Sequence, residues 1–254
     1  MKEDKNQNTT LFFNDKEEYY NKYRPGYDDS LIKILQEKYG FNKDCSIAEY
    51  GSGTGNFSFM ISKFCEKVYS VEPNFGMISK AREKNNNENI TYLEERAENT
   101  SIEDNIIDFS FAVHSFHYFE KKKFKQEIIR TLKPNGYFGI IWYDYFDENN
   151  AFALEWREFV KKRKKHLYKH NVIDDRKSIF KNGAWIEEES IINRVSYDKL
   201  SLLGLALSIS TMPLKNAPGY KEIEEGVFNI FNKYQIAGKV YFDLHLRMQI
   251  GKVK

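Results

Sequence analysis

The chain has 254 residues, 41% hydrophobic and 16% aromatic, with 39 basic against 37 acidic side chains and a net charge of +2. That length and composition can bury a full core, and the near-neutral charge excludes a global field for binding polyanions. No apolar run approaches the roughly 18 residues of a bilayer span, residues 1–10 lack the apolar centre of a secretory signal, and Cys45 and Cys65 lack metal-ligand spacing. A cytoplasmic protein with two buried thiols, no membrane partner and no metal site is therefore expected.

An aromatic segment opens the structured part: Tyr19, Tyr20, Tyr23, Arg24, Pro25, Gly26 and Tyr27. Asp28, Asp29 or Ser30 can cap a helix carrying Leu31, Ile34 and Leu35, which Gly40 stops. The run Cys45-Ser46-Ile47-Ala48 predicts a first strand, and Phe57, Met60, Ile61 and Phe64 form a helical stripe just after a glycine loop. A second strand, Val68 to Val71, ends in Glu72-Pro73, and a helix covers roughly 77–84. A third strand spans Ile90 to Leu93. The fourth, Ile106 to Val113, is nearly continuous in apolar character, which suits a strand buried on both faces. A helix over about 120–132 and a fifth strand, Tyr137 to Tyr143, follow.

Beyond Asp144 the pattern turns helical and charged as far as residue 187. Strand character returns over 191–197, and helices are predicted over 199–210 and 219–235. From Val240 the chain alternates, with Phe242, Leu244, Leu246, Met248 and Ile250 apolar and the residues between them polar, the mark of a strand with one buried face. Strands alternating with helices at this spacing predict a parallel sheet covered on both sides.

The most informative segment is Glu49-Tyr50-Gly51-Ser52-Gly53-Thr54-Gly55-Asn56. Glycines in a strand-to-helix turn allow a sharp bend and let a ligand approach the main-chain N–H groups. Asn56 stands where the dinucleotide fingerprint requires Gly or Ala, and no Gly-Lys-Ser/Thr follows for a Walker loop. Glu72, at the end of the second strand, is placed to accept hydrogen bonds from both ribose hydroxyls of an adenosine.

This Glu-x-Gly-x-Gly-x-Gly segment resembles the first motif of the class I S-adenosylmethionine methyltransferases. Val71 to Met77 is similar to that family's acidic motif. His114-Ser115-Phe116-His117-Tyr118-Phe119 resembles the "HWF" segment of the trans-aconitate methyltransferase-like, methyltransferase type 11 group, with Tyr118 in place of Trp. Tyr23-Arg24-Pro25-Gly26-Tyr27 resembles the group's "YRPGYP" lid, with Asp28 in place of the second proline.

The resemblance implies an α/β, Rossmann-like, seven-stranded and mostly parallel sheet, its last strand antiparallel beside the fifth, with a helical cap. It divides the chain into a lid and cofactor-binding core (1–144), a helical cap (145–187) and a C-terminal completion of the sheet (188–254). It implies S-adenosyl-L-methionine as cofactor, S-adenosyl-L-homocysteine as product and a small-molecule acceptor. Tyr19, Tyr23 and Arg24 would fold over the methionine portion. Glu49, Gly51, Ser52, Gly53, Gly55 and Asn56 would form the loop, and Glu72 and Pro73 would sit at the ribose. Met77 would lie near the adenine face, with Ala97 and Glu98 reading its edge. Val113 and His114 would line the methionine end. His117 would orient the acceptor or take its proton. From position alone, near the end of the fifth strand and in the cap, Tyr143 and Trp156 are expected to shape the acceptor site.

Two alternatives stay open on the residues. One is a nicotinamide-dependent oxidoreductase on a related fold, which Asn56 and the terminal alternating strand disfavour. The other is a non-catalytic module that binds S-adenosylmethionine or RNA through Lys121-Lys122-Lys123 or the run Lys161-Lys162-Arg163-Lys164-Lys165. On a helical wheel Phe152, Trp156, Phe159, Val160 and Leu167 share one face and the lysines mostly fall elsewhere, which fits a solvated surface better than a nucleic-acid partner. The fourth-strand segment also lacks the Asn/Asp-Pro-Pro-Tyr/Phe of nucleobase methylation.

Overall fold

A computed structural model describes residues 16–27, 29–85, 87–144, 149–163, 176–183 and 187–254. Asp28, Lys164, Lys165 and Leu167, which figure in the sequence reading, lie outside the described residues. The chain opens with helices α1 (Glu17–Tyr23) and α2 (Ser30–Tyr39) and then alternates: β1 (Ser46–Tyr50), α3 (Asn56–Ser62), β2 (Lys67–Val71), α4 (Phe75–Lys84), β3 (Ile90–Leu93), β4 (Ile107–Val113), α5 (Lys121–Thr131) and β5 (Leu132–Asp144). It continues through α6 (Ala151–Arg163), β6 (Glu187–Tyr197), α7 (Lys199–Leu207), α8 (Tyr220–Tyr234) and β7 (Val240–Gly251).

The strands form one seven-stranded sheet in the order β3-β2-β1-β4-β5-β7-β6. Pairs among β1 to β5 are parallel, whereas β7 runs antiparallel to both β5 and β6. The expected architecture, including the antiparallel last strand beside the fifth, is therefore present. Strand β5 starts five residues earlier than expected, at Leu132, which pairs with Ile107 across a register irregularity.

Side chains from alternate strand positions feed two cores, one on each face of the sheet. On one face Ile47, Phe109, Phe111 and Ile141 pack with Phe57 and Ile61 of α3 and with Leu31 and Leu35 of α2. On the other, Tyr50, Ala112, Phe138 and Ile140 pack with Phe124 and Ile128 of α5 and with Ile179 and Phe180. The alternating apolar residues of β7 are all at most 2% exposed, and all face the first core.

Helix α6 buttresses this sheet. Phe152 and Trp156 pack on Phe242 of β7, with ring centroids 4.6 and 5.9 Å apart. Trp156, expected at the acceptor site, is thus buried under β7 instead, because its helix lays its aromatic face on the sheet. Lys161 points outward and pairs with Glu158 at 3.4 Å. The order reversal between β1 and β4 opens a crevice at the carboxyl ends of the strands, where sheets of this kind place ligands.

Candidate active site

A cleft of about 730 Å³ occupies that crevice. Its floor is the glycine loop after β1, represented by Gly51 and Gly53. One wall is Glu72, Pro73 and Met77 from the end of β2 and the start of α4. The opposite wall comes from the segments after β3 (Arg96, Ala97, Glu98) and β4 (Val113, His114, Ser115, Tyr118, Phe119), and Tyr20 of α1 closes the top.

The loop turns its own amides inward. Gly51 and Ser52 donate to the Val71 carbonyl at 2.8 and 3.0 Å, and Gly55 donates to Ser52 O at 3.0 Å. Gly53 donates to Glu72 Oε2 at 2.9 Å. These four N–H groups are satisfied within the protein and are not donors to a ligand phosphate. Gly51 must lack a side chain, since a Cβ would lie 2.5 Å from that of Ser115. Gly53 sits at φ +56°, and a Cβ built there meets no protein atom within 4 Å; that space belongs to the cleft.

Two carboxylates set the electrostatics. Burial pushes the Glu72 carboxyl up to about 7 against the lowering effect of hydrogen bonds from the Asn74 and Gly53 amides. Beneath the loop, burial pushes Glu49 up to about 8, with the Glu72 charge adding to the rise and a hydrogen bond from the Ser58 hydroxyl opposing it. That hydroxyl also lies 3.0 Å from Ser70 Oγ, so Glu49 ties β1, α3 and β2 together under the site. Glu98 is held by the Glu120 amide at 2.8 Å and by Arg96 at 3.5 Å.

Helix α1 lies across the cleft and is gripped at both ends by the turn after α7. Before α1, Lys16 donates its ammonium to the carbonyls of Leu207, Ile209 and Met212. After it, Arg24 reaches Ser208 O at 3.5 Å and lies over the Tyr20 ring at 5.2 Å. Gly204 leaves room for the Tyr23 ring, since a Cβ there would come within 2.3 Å of it.

The end of β4 separates the cleft from a second hollow. His114 has a left-handed backbone (φ +55°) and stacks its ring on Tyr143, centroids 5.4 Å apart. Its Nε2 accepts the Tyr143 amide proton at 3.2 Å. His117, in a single 3-10 turn over Phe116–Tyr118, packs its exposed ring 4.0 Å from that of Tyr118.

Of the residues expected to hold a cofactor, Gly51, Gly53, Glu72, Pro73 and Met77 line the cleft, as do Ala97, Glu98, Val113 and His114. Ser52, Gly55 and Glu49 support it from below. Asn56 does not reach it: as the first residue of α3 it turns away after the left-handed Gly55 and accepts a hydrogen bond from Lys84 at 2.9 Å. Tyr19 and Tyr23 stack on each other, centroids 6.2 Å apart, and Tyr23 packs on α7, so it is Tyr20 that faces the cleft, one helical step round. Arg24 braces Tyr20 rather than lining the cleft. His117 lines the second hollow and not the cleft. Ser115, Tyr118 and Phe119 escaped notice as cleft residues, although the strand-end rule points to them.

Residues 48–140 match the family described as a methyltransferase domain. A Dictyostelium discoideum protein described as a methyltransferase is 29% identical over 123 residues, which is 48% of this chain and 45% of that protein. The chain spans about half the length of the curated relatives it matches. A protein from Anaeromyxobacter dehalogenans described as a type II methyltransferase superposes with a TM-score of 0.67 at 19% identity, over 91% of this chain and 98% of that one. Phosphoethanolamine N-methyltransferase 2 of Haemonchus contortus, in complex with phosphomonomethylethanolamine and S-adenosylhomocysteine, superposes with a TM-score of 0.52 at 18% identity, over 96% of this chain and 57% of that one. At these identities the structural likeness is one of fold.

Proposed function

We propose that the protein, whose residues 48–140 match a methyltransferase domain family, is a class I S-adenosylmethionine-dependent methyltransferase that transfers a methyl group from S-adenosylmethionine to a small-molecule acceptor, a carboxylate or another oxygen or nitrogen nucleophile. The observation that carries this reading is the pairing of Glu72 with an inward-turned glycine loop. The amides of Gly51, Ser52, Gly53 and Gly55 bond within the protein, and a buried carboxylate stands beside them at the end of β2, an arrangement that supports a nucleoside cofactor held at its ribose. The open space over Gly53 leaves room for such a ligand.

In this reading Glu72 would hold the ribose, Met77 and Ala97 the adenine faces, and Glu98 its edge. Tyr20 and Val113 would enclose the methionine end. The bound cofactor supplies an electrophilic methyl on a sulfonium, whose charge is neutralised as the acceptor's electron pair takes the carbon and the carbon–sulfur pair stays on sulfur. The protein positions the two partners and excludes water, and positioning alone supplies on the order of 7–11 kcal/mol. The aromatic lining from Tyr20, Tyr118 and Phe119 provides a dry surround.

Titration calorimetry with S-adenosylhomocysteine, NAD and NADP tests the cofactor. Saturable binding of S-adenosylhomocysteine alone is expected, and binding of NAD or NADP alone overturns the reading. A screen with methyl-labelled S-adenosylmethionine across acids, phenols and amines then identifies the acceptor.

A further inference from the structure

Resting on that reading, we propose that Lys84 is a positioning residue for the cofactor: its ammonium fastens helix α1 to the corner of the glycine loop, which holds Tyr20 over the occupied cleft and slows the cofactor's escape. The ammonium donates at 2.6 Å to Asn21 Oδ1 in α1 and at 2.9 Å to Asn56 Oδ1, on the first residue of α3. Both asparagines present a carbonyl oxygen to it. Two such oxygens do not bond to each other, so the cation between them makes the join.

Lys84 is fixed relative to the floor of the cleft. It is the last residue of α4, and the final turn of that helix presses on the corner before α3. A Cβ on Gly55 would lie 3.0 Å from that of Ala81 and 3.6 Å from Asn85 Nδ2. The Gly55 amide in turn bonds to Ser52 O at 3.0 Å, so the loop, Asn56 and the end of α4 form one unit. Asn56 therefore acts on the cofactor through Lys84 and α1 rather than by contact.

Helix α1 meets its two neighbours in different ways. Toward α7 it is packed, with the Tyr23 ring over Gly204 and Lys16 bonded to the carbonyls beyond that helix. Toward α4 it faces a groove lined by polar and charged side chains, among them Glu17, Lys22, Lys80 and Glu83. Exposed polar contacts of this kind open in water at small cost. The Lys84 bonds stand out among them because they join α1 to the loop corner as well as to α4. Asn21 directly follows Tyr20, about 100° further round the helix. Its bond to Lys84 thus keeps the roll that α7 gives α1, with Tyr20 in the cleft. A charged donor shared by two amide oxygens couples the cleft floor to its cover through contiguous bonds.

The test follows release of tritium-labelled S-adenosylhomocysteine from the full chain into an excess of unlabelled ligand. Lys84→Met should speed release by about three- to tenfold, and Lys84→Arg, which keeps a charged donor, should stay within about twofold of the parent. Asn21→Ala and Asn56→Ala should each speed release as well, and neither should add to the effect of Lys84→Met, since all three break one join. S-adenosylhomocysteine should slow hydrogen exchange over residues 17–23 in the parent but not in Lys84→Met, while exchange over 107–113 stays the same in both. Release at the parent's rate in Lys84→Met, full additivity with Asn21→Ala and Asn56→Ala, or exchange that quickens throughout the variant overturns the proposal. A parent chain that does not bind S-adenosylhomocysteine in calorimetry strikes the cofactor reading instead.

Discussion

The Gly53 amide donates to the Glu72 carboxylate across 2.9 Å, joining the loop after β1 to the tip of β2. The same carboxylate accepts from the Asn74 amide at 2.9 Å, so each oxygen is anchored by one backbone donor. The residue proposed to hold the ribose is thus fixed in place before any ligand arrives, which lowers the cost of ordering it on binding.

Ribose recognition through an ionised Glu72 makes cofactor affinity depend on pH. Burial raises this carboxyl to about 7, so below that value the protonated acid loses acceptor capacity. S-adenosylhomocysteine affinity should stay flat above pH 7 and fall by up to about tenfold per pH unit below it. Glu72→Gln should bind about 10- to 100-fold more weakly at pH 8, in line with losing hydrogen bonds to a charged group, and should show little pH dependence. Calorimetry from pH 5.5 to 8.5 checks both.

Gly53→Val should abolish S-adenosylhomocysteine binding, because the branched side chain would fill the space where the ligand approaches. The positive φ adds a folding cost of about 1–2 kcal/mol. Gly40→Val is the control: Gly40 sits at φ +74° with nothing within 4 Å of its Cβ and lies outside the cleft lining. It should pay a similar strain in thermal unfolding and keep its affinity.

Glu49 sets a second pH effect, on folding. Burial raises its carboxyl to about 8, whereas the unfolded chain releases the same proton near the ordinary value of 4.5. Between those values the folded state holds a proton that the unfolded state has lost, so this group's contribution to stability declines as pH rises and levels off above about 8. Glu49→Gln removes the ionisation and still accepts from Ser58. Its melting temperature relative to the parent should climb by several degrees between pH 5 and 8, as calorimetric scans would show.

Lys16→Met should loosen the helix over the cleft. The substitution leaves the Leu207, Ile209 and Met212 carbonyls without their ammonium donor, at a cost of about 1–3 kcal/mol. Because α1 positions Tyr20 over the cofactor cleft, S-adenosylhomocysteine affinity should fall along with stability. Calorimetry paired with hydrogen exchange at residues 17–23 separates this local release from global unfolding.

His117 lines the second hollow but not the cofactor cleft. His117→Ala should therefore change S-adenosylhomocysteine affinity by less than about twofold while lowering methyl transfer to an identified acceptor by about tenfold or more. Equal losses in both would place His117 at the cofactor instead.

What the sequence determined is what local chemistry encodes. Period-two alternation marked β7, the continuous apolar run marked β4 as a strand buried on both faces, and the glycine spacing marked the strand-to-helix turn, because each signal lies within one element. Asn56 at the third fingerprint position set aside a dinucleotide loop for the same reason. Only the tertiary structure decided which member of a local group faces the ligand. Tyr20 lines the cleft while Tyr23 packs against Gly204, because the roll of α1 is set by α7, about 180 residues away in the chain. Trp156 went under β7 because Phe242, far along the chain, completes its pocket. The protonation of Glu49 and Glu72 and the tautomer of His114 follow from burial and from a partner on another strand, quantities that exist only after the chain has closed on itself.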